Sequence, residues 1–325
     1  MAKIHADSSR CTKCGKPAAI SLRYANSELC QSHFTKMFEA RVKRTVRVHR
    51  MLRKGDRVAV GLSGGKDSCV MLHMLYEISK SLPIELFAIT IDEGIKGYRN
   101  HTLEVAKYEC KKLGVPLKIV NFHDEFGQTL DALLKERGTS LSCSFCGVMR
   151  RYALNKLARE GGADKIAIGH NSDDIAQTVF MNFMRNEPER LGRFGPKAGV
   201  VDDEAFVKRI KPLFLTPERD VAAYAMMNGI EIDFMECPYA RHAFRQYVRE
   251  MLNKAEEKYP GTKLRIVKAF MEQQNLMRDG VRARNSAKDR KIGKCVSCGE
   301  PSSREICSLC MLLERYPAKK EEYAI

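Results

Sequence analysis

Ser63, Gly64, Gly65, Lys66, Asp67 and Ser68 interrupt one apolar run, RVAVGL, and open a second, DSCVMLHMLYEISK. The first run is short and β-branched, as expected of a buried parallel strand that ends in Gly61 and Leu62. The second carries apolar residues at helical spacing. Two glycines between them allow a tight turn and a close approach of backbone to a ligand. The first N–H groups of the helix then face outward, where they and Lys66 can receive an anion such as a phosphate. The spacing is not GxxxxGK followed by Ser or Thr, so a Walker A loop is excluded. The plain alternative is a glycine turn with no ligand.

Cysteine is the second source of chemistry: the chain has 12. MAKIHADSSRC at the start lacks the apolar core of a signal peptide. No apolar run nears the ~20 residues of a bilayer span. A cytoplasmic protein without membrane contact is expected, and there thiols serve metals or sulfur chemistry rather than disulfides. Cys11, Cys14, Cys30 and His33 form CxxC…CxxH, and Cys295, Cys298, Cys307 and Cys310 form CxxC…CxxC. Each set offers four ligands suited to tetrahedral Zn²⁺ with no open position, hence two structural zinc sites. Iron–sulfur or redox dithiol use is the alternative. Flanking modules of ~35 residues have too little core to fold alone, which gives the metals a purpose.

Cys143 and Cys146 in SCSFCG and Cys237 in ECPY supply three ligands, not four. Three thiolates could hold a 4Fe–4S cluster with one iron open to a sulfur species. Alternatively one cysteine carries a persulfide that another resolves. Plain buried cysteines are the bland reading, against which Cys143 and Cys146 are read as lying in a Ser/Gly-rich loop. Cys69 and Cys110 fall on helix faces and read as packing.

These groups need a scaffold. Strands are expected at 57–62, 85–91, 116–121 and 165–169, with further ones at 206–210 and 230–234. Helices are expected at 67–80, 99–113, 125–136, 147–160, 173–185, 217–228, 242–257 and 264–277. Such alternation predicts an α/β fold with a doubly wound parallel sheet, which binds ligands at the carboxyl ends of its strands. Polar chemistry sits at three of those ends: the loop 63–68, Asp92-Glu93, and Gly169 to Asp174. The organisation expected is a zinc finger at 1–38, a basic helical linker at 39–54, a catalytic domain at 55–285 and a zinc ribbon at 286–325.

Lys and Arg number 56 against 40 Asp and Glu, a net charge of +16, which suits a polyanionic partner such as nucleic acid. In RVKRTVRVHRMLRK (41–54), Val42, Val46, Val48 and Leu52 make an imperfect helical stripe. Arg41, Lys43, Arg44, Arg47, Arg50, Arg53 and Lys54 read as contacts to a phosphate backbone, the alternative being a solvated face. The stretch 278–294 reads as a linker.

SGGKDS resembles the PP-loop of ATP pyrophosphatases, which split ATP into AMP and pyrophosphate to activate a carbonyl oxygen. Together with IDEGIKGYR, CSFCGVMRR, GHNSDDIAQTVFMN, ECPYA, PGTK and the two terminal ligand sets, it resembles the tRNA 2-thiouridine synthetases over nearly the whole chain. The resemblance implies a Rossmann-type, adenine-nucleotide α-hydrolase-like domain between two zinc modules. It implies ATP and Mg²⁺ held by Ser63, Gly64, Gly65, Lys66, Asp67 and Ser68 with Gly61 beside them. Ile91 and Asp92 would line the adenosine, with Gly169 and Asp174 near the nucleotide and reacting centre. Helix capping is the alternative for Asp174, a duty Ser172 or Asp173 could share. Cys143, Cys146 and Cys237 would ligate the cluster, its fourth iron carrying hydrosulfide.

One branch of this family thiolates U54 of the T-loop and uses a lysine where this chain has Arg150. That departure looks more like the branch that thiolates the wobble uridine U34. Arg150 would steady developing negative charge, with a planar guanidinium in place of an ammonium. The resemblance further implies tRNA as partner, a thiocarboxylated ubiquitin-like protein or sulfide as sulfur donor, and a homodimer. Alternatives are U54 thiolation, 2-thiocytidine formation, and an RNA-binding module with an inactive nucleotide fold. The intact loop and the three core cysteines weigh against the last.

Overall fold

The computed structural model describes residues 9–139, 142–198, 206–233, 235–242, 244–285 and 293–315. Two short antiparallel strands, β1 (Ile20–Leu22) and β2 (Ser27–Leu29), run into helix α1 (Gln31–Val48). Then come β3 (Arg57–Gly61), α2 (Lys66–Ser79), β4 (Glu85–Asp92), α3 (Arg99–Leu113) and β5 (Leu117–Asn121). Short helices α4 (Phe122–Phe126) and α5 (Leu130–Arg137) lead to α6 (Ser142–Glu160), β6 (Lys165–Ile168) and α7 (Ser172–Met184). After α8 (Pro188–Arg193) come β7 (Lys197–Ala198) and β8 (Lys208–Ile210), and then α9 (Glu218–Met227), α10 (Phe244–Lys258) and α11 (Thr262–Asn285). A second antiparallel pair, β9 (Gly293–Lys294) and β10 (Pro301–Ser302), precedes α12 (Ser308–Arg315).

The central sheet has the order β5-β4-β3-β6-β8-β7, parallel except for β7 at one edge. This is the doubly wound parallel sheet that the alternation predicts. Val58, Ala59 and Val60 are fully buried because both faces of β3 are covered, which explains its unbroken apolar run. Strand order reverses between β3 and β6, so the loops after these two strands splay apart and leave a crevice.

Several elements differ from expectation. Residues 230–233 are not a strand, Asp233 making only an isolated parallel bridge to Gly65, and position 234 lies outside the described residues. The helix expected at 125–136 is two helices. Gly127, at φ +74°, closes α4, and the Thr129 hydroxyl caps α5. Helix α6 begins at Ser142, so Cys143 and Cys146 lie in its first turns and not in a loop. Phe145, Cys146 and Met149 are buried against Leu130 and Leu133, and that burial outweighs the weak helix propensity of Ser, Cys and Gly. Helix α11 continues to Asn285, so the first half of the basic stretch 278–294 is helical, while 286–292 lie outside the described residues.

Helix α1 carries the other basic stretch but starts at Gln31 and stops at Val48. Phe34, Phe38, Val42 and Val46 bury one face in a cluster with Met71 and Leu72 of α2, whereas Val48 is exposed. Arg41 departs from its expected phosphate role. Its Nη1 donates to Asp220 Oδ2 at 2.6 Å and its Nη2 to the Tyr24 hydroxyl at 2.7 Å. Asp220, fully buried on α9, needs that cation. Lys43, Arg44, Arg47, Arg50, Arg53 and Lys54 are exposed. Arg41→Ala is therefore expected to cost about 3–5 kcal/mol by denaturant unfolding, with RNA affinity held within about twofold. Weaker RNA binding at unchanged stability would return Arg41 to the phosphate contacts.

The carboxyl-terminal element packs on α6. Arg159 forms a two-pronged ion pair with Glu300, at 2.8 and 2.5 Å. Cys295, Cys307, Leu309 and Cys310 share one buried cluster with Phe145 and Cys146.

Candidate active site

The loop after β3 is braced from within and below. The Ser63 N–H donates to Ser68 Oγ at 3.1 Å, and Ser68 Oγ donates to the Gly65 carbonyl at 2.9 Å. Gly64 sits at φ +85°, and a Cβ there would run into the Thr102 carbonyl of α3. Gly65 is the N-cap of α2 and supplies no side chain, so the helix's first N–H groups are left for a ligand. Lys66 Nζ pairs with Asp67 at 3.0 Å and with Glu218 of α9 at 2.8 Å.

A cleft of about 770 Å³ opens where the strand order reverses. Gly61, Ser63, Asp67 and Ser68 line it from the loop side, with Ile91 from β4. Gly169 and Asp174 line it after β6, and Cys143, Cys146, Arg150 and Cys237 line the opposite wall. Gly65 and Lys66 instead face an adjoining cavity of about 490 Å³, which Asp67 also borders. Asp92 turns back on itself: its Oδ1 accepts the Gly94 N–H at 2.9 Å. Gly169 must be small, since a Cβ would stand 3.0 Å from the Asp67–Ser68 backbone.

Arg150 Nη2 donates to Cys146 Sγ at 3.1 Å, and its Nε lies 3.1 Å from Glu93 Oε1. Glu93 is buried and also pairs with Arg99 at 2.9 Å. Arg99 in turn donates to the Ser63 carbonyl at 3.0 Å and to the Ile91 carbonyl. One carboxylate thus braces the nucleotide loop on one side and the thiol helix on the other. The sequence marks Glu93 only as half of the Asp92-Glu93 pair at a strand end and gives Arg99 no role, although both lie within IDEGIKGYR. Burial pushes the thiols of Cys146 and Cys237 upward from their ordinary range. Cys69 and Cys110 are buried packing residues, Cys110 pushed up to about 12 by burial and then by Glu109.

Neither Ser172 nor Asp173 caps α7. Asn171 does, its side chain accepting the Asp173 and Asp174 N–H groups while Asp174 accepts the Asn171 N–H. Asp173 is held by the buried Lys263 of PGTK. Asn171 Nδ2 also donates to Asp67 at 2.8 Å, tying the two loops together. Burial, and then the charge of Asp67, push Asp174 up to about 7. Asp67 is itself raised by burial despite Lys66 and Asn171.

A carboxyl raised from ~3.9 binds its proton more tightly in the folded chain, so its contribution to stability is full at low pH and is lost as pH rises through the folded value. The melting temperature of the ligand-free protein is expected to fall between about pH 5 and pH 8, and Asp174→Asn to flatten that fall. An equal slope in the variant would remove Asp174 as its source.

The two outer ligand sets converge. Cys11, Cys14, Cys30 and His33 lie within 4.8 Å of one another by their ligand atoms, as do Cys295, Cys298, Cys307 and Cys310. Cys14 and Cys30 sulfurs are 3.8 Å apart, as are those of Cys298 and Cys307. Tetrahedral ligands at ~2.3 Å from one ion would be separated by about that distance. His33 presents Nδ1 at 3.4 Å from both Cys11 and Cys30. Although burial opposes it, backbone N–H groups of Cys30, Lys13 and Cys14 draw Cys11 down to about 6. The Cys307, Cys298 and Ser297 N–H groups do the same for Cys295, also to about 6. Both sets could hold a metal ion as thiolates. Cys143, Cys146 and Cys237 are not so tightly converged, which suits a larger group than one ion.

Fold and loop together define an ATP-using α/β protein of the PP-loop type, whose cleft is also lined by three cysteines. The PP-loop domain description matches residues 31–256, and that of the N-terminal LIM domain of 2-thiouridine synthetase TtuA matches residues 10–35. The chain belongs to the PP-loop family of tRNA 2-thiolation proteins. A tRNA-5-methyluridine(54) 2-sulfurtransferase from Pyrococcus horikoshii is 36% identical, covering 93% of this chain and 92% of its own. Cytoplasmic tRNA 2-thiolation protein 1 of Oryza sativa subsp. japonica is 35% identical, covering 95% and 83%. Among solved structures, the U34-tRNA thiolase NcsA from Methanococcus maripaludis with its 4Fe–4S cluster matches with a TM-score of 0.79 at 35% identity, over 95% of this chain and 97% of that one. Among the described residues no helix is long and apolar enough to cross a membrane.

Proposed function

We propose that the protein is an ATP-dependent tRNA sulfurtransferase that converts uridine to 2-thiouridine, with U34 as its target. The observation that carries this is a single cleft lined by loop residues on one side and three thiols on the other. Uridine O2 is a poor leaving group. Its attack on the α-phosphorus of ATP breaks the bond to the β-phosphate, releases pyrophosphate and leaves an adenylate. Sulfur then attacks C2, and AMP departs with O2.

The loop N–H groups at the start of α2, with Ser63, Ser68 and Lys66, stabilise charge on the departing pyrophosphate. Ile91 packs beside the adenosine, and Gly169 allows close approach. Asp67 and Asp174, both raised by burial and Asp174 further by the charge of Asp67, fit a Mg²⁺ ion, which would supply charge neutralisation at the phosphates. Cys143, Cys146 and Cys237 fit a 4Fe–4S cluster, which supplies an iron position free of protein ligands for sulfide. Arg150, fixed by Glu93, keeps a guanidinium beside this centre and the developing anion. Its replacement of the U54 branch's lysine supports U34. The outer ligand sets hold two Zn²⁺ ions. Sulfur comes from a thiocarboxylated ubiquitin-like protein or sulfide, and the enzyme works in the cytoplasm as a homodimer.

Nucleoside mass spectrometry of tRNA after anaerobic reaction with ATP and sulfide tests this. The expected product is 2-thiouridine mapped to position 34. Thiolation at 54 would move the target to the T-loop, and 2-thiocytidine would replace the substrate base. Full activity of iron-free protein would replace the cluster by a persulfide.

A further inference from the structure

The cleft has a wall that neither the loop nor the thiols explain. Arg151 of α6 and Arg209 of β8 line it, and His170, between β6 and α7, stands on the same side. Arg209 Nη2 donates to the Arg151 carbonyl at 3.3 Å, which brings the two residues together. Gly147, one turn before Arg151, leaves room for its guanidinium, since a Cβ there would stand 3.2 Å from Nη1. Lys211, directly after β8, is buried with its Nζ 2.6 Å from the Gly195 carbonyl and 4.2 Å from the centre of the Phe194 ring. Among the described residues, no carboxylate pairs with Arg151, Arg209 or Lys211.

Unpaired like charges in one wall repel one another. Burial, with Arg151, draws Arg209 down to about 10, and burial, with Arg209, draws Lys211 down to about 7. His170 is exposed to the cleft, yet crowding by the cleft walls and then Lys211, Arg245, Arg150 and Arg209 hold its imidazole below its ordinary range, so it is neutral at pH 7 and can donate one hydrogen bond. Arg150 differs from Arg151 because Glu93 already neutralises it. Arg151 is exposed to the cleft and Arg209 half-buried, so two guanidiniums without an acid stand together in one wall, where they can receive an anion. Two guanidiniums suit the oxygens of a phosphate.

We propose that Arg151 and Arg209, with His170 beside them, form a phosphate-binding wall that takes a backbone phosphate of the RNA beside the reacting nucleotide. This rests on the tRNA-thiolation reading. ATP is the other source of the same chemistry, but its phosphates have donors at the start of α2. That loop follows β3, and β8 lies two strands away, roughly 10 Å at ~4.8 Å per strand.

The test measures tRNA affinity across a salt series, and ATP affinity, for full-length Arg151→Gln, Arg209→Gln and the double variant. Each single change is expected to weaken tRNA binding about five- to tenfold and to flatten the log–log salt slope by about one, with ATP affinity unchanged. Unaltered tRNA affinity in the double variant would overturn the proposal. So would weakened ATP binding with tRNA binding intact, which would give the wall to the nucleotide. Failure of the unaltered protein to bind tRNA would sink the thiolation reading instead. If the glutamine variants do not fold, Arg151→Lys with Arg209→Lys decides: charge is kept and forked geometry lost, so weaker binding at an unchanged slope is expected, and undiminished binding would overturn the wall.

Discussion

Serine in place of Cys143, Cys146 or Cys237 is expected to reduce tRNA thiolation below about 1% of the unaltered protein. A hydroxyl of the same shape stays protonated at neutral pH and is a poor ligand for iron, so one missing thiolate opens a set that has only three. The loop proposed to hold ATP is built from other residues, and none of its hydrogen bonds reaches Cys143, Cys146 or Cys237. ATP affinity should therefore stay within about twofold, which separates loss of sulfur delivery from loss of nucleotide binding. Iron content and visible absorbance of anaerobically prepared protein should fall in step with activity. Cys146→Ser carries a second loss, the contact from Arg150, although Glu93 still holds that guanidinium. Cys69→Ser and Cys110→Ser are the controls: both thiols are buried in helices, so stability should drop while iron is kept. Wild-type thiolation by Cys143→Ser or Cys237→Ser would refute the three-thiol site.

Gly64→Ala should stop ATP cleavage as completely, for a different reason. The residue sits in the left-handed region at φ +85°, and the added methyl meets the Thr102 carbonyl, which belongs to a helix and cannot swing away. The backbone itself must move, and with it the N–H groups at the start of α2. Loss of one well-aimed donor to a developing anion costs about 100- to 1,000-fold, so a fall of at least that size in tRNA-dependent AMP release is expected. Stability should drop by ~1 kcal/mol or more. Gly65→Ala is the informative partner. Its φ is −79° and only Ser63 Oγ, at 3.6 Å, approaches the new methyl, so the protein should fold normally and lose nucleotide affinity only where ligand and methyl compete. Normal AMP release by Gly64→Ala would mean that this turn does not cradle the phosphates.

Local pattern made much of the scaffold legible. β3 could be read because both its faces are buried, and the outer ligand sets because tetrahedral coordination leaves a spacing in the chain. The first turns of α6 could not, since Ser, Cys and Gly favour a loop until Leu130 and Leu133 arrive to bury Phe145. The break between α4 and α5 had a visible signal in Gly127 and Thr129, but an unbroken apolar period masked it. Arg41 looked like its neighbours because its partner, Asp220, is 179 residues away and no local pattern reports it. Asp92 and Glu93 are adjacent carboxylates at one strand end. Only packing shows that the first closes a turn while the second is buried between two arginines.

That buried glutamate has a consequence for how effects combine. Ser63, Arg99, Glu93, Arg150 and Cys146 form an unbroken line of contacts, and Glu93 is the only anion in it. Energies of changes at the two ends should therefore not sum. A double-mutant cycle between Arg99 and Arg150 shares one counter-ion, so removing the second arginine costs a different amount once the first is gone. With a neutral glutamine at position 93 that interaction energy should collapse towards zero, leaving activation and sulfur delivery as two independent perturbations of one enzyme.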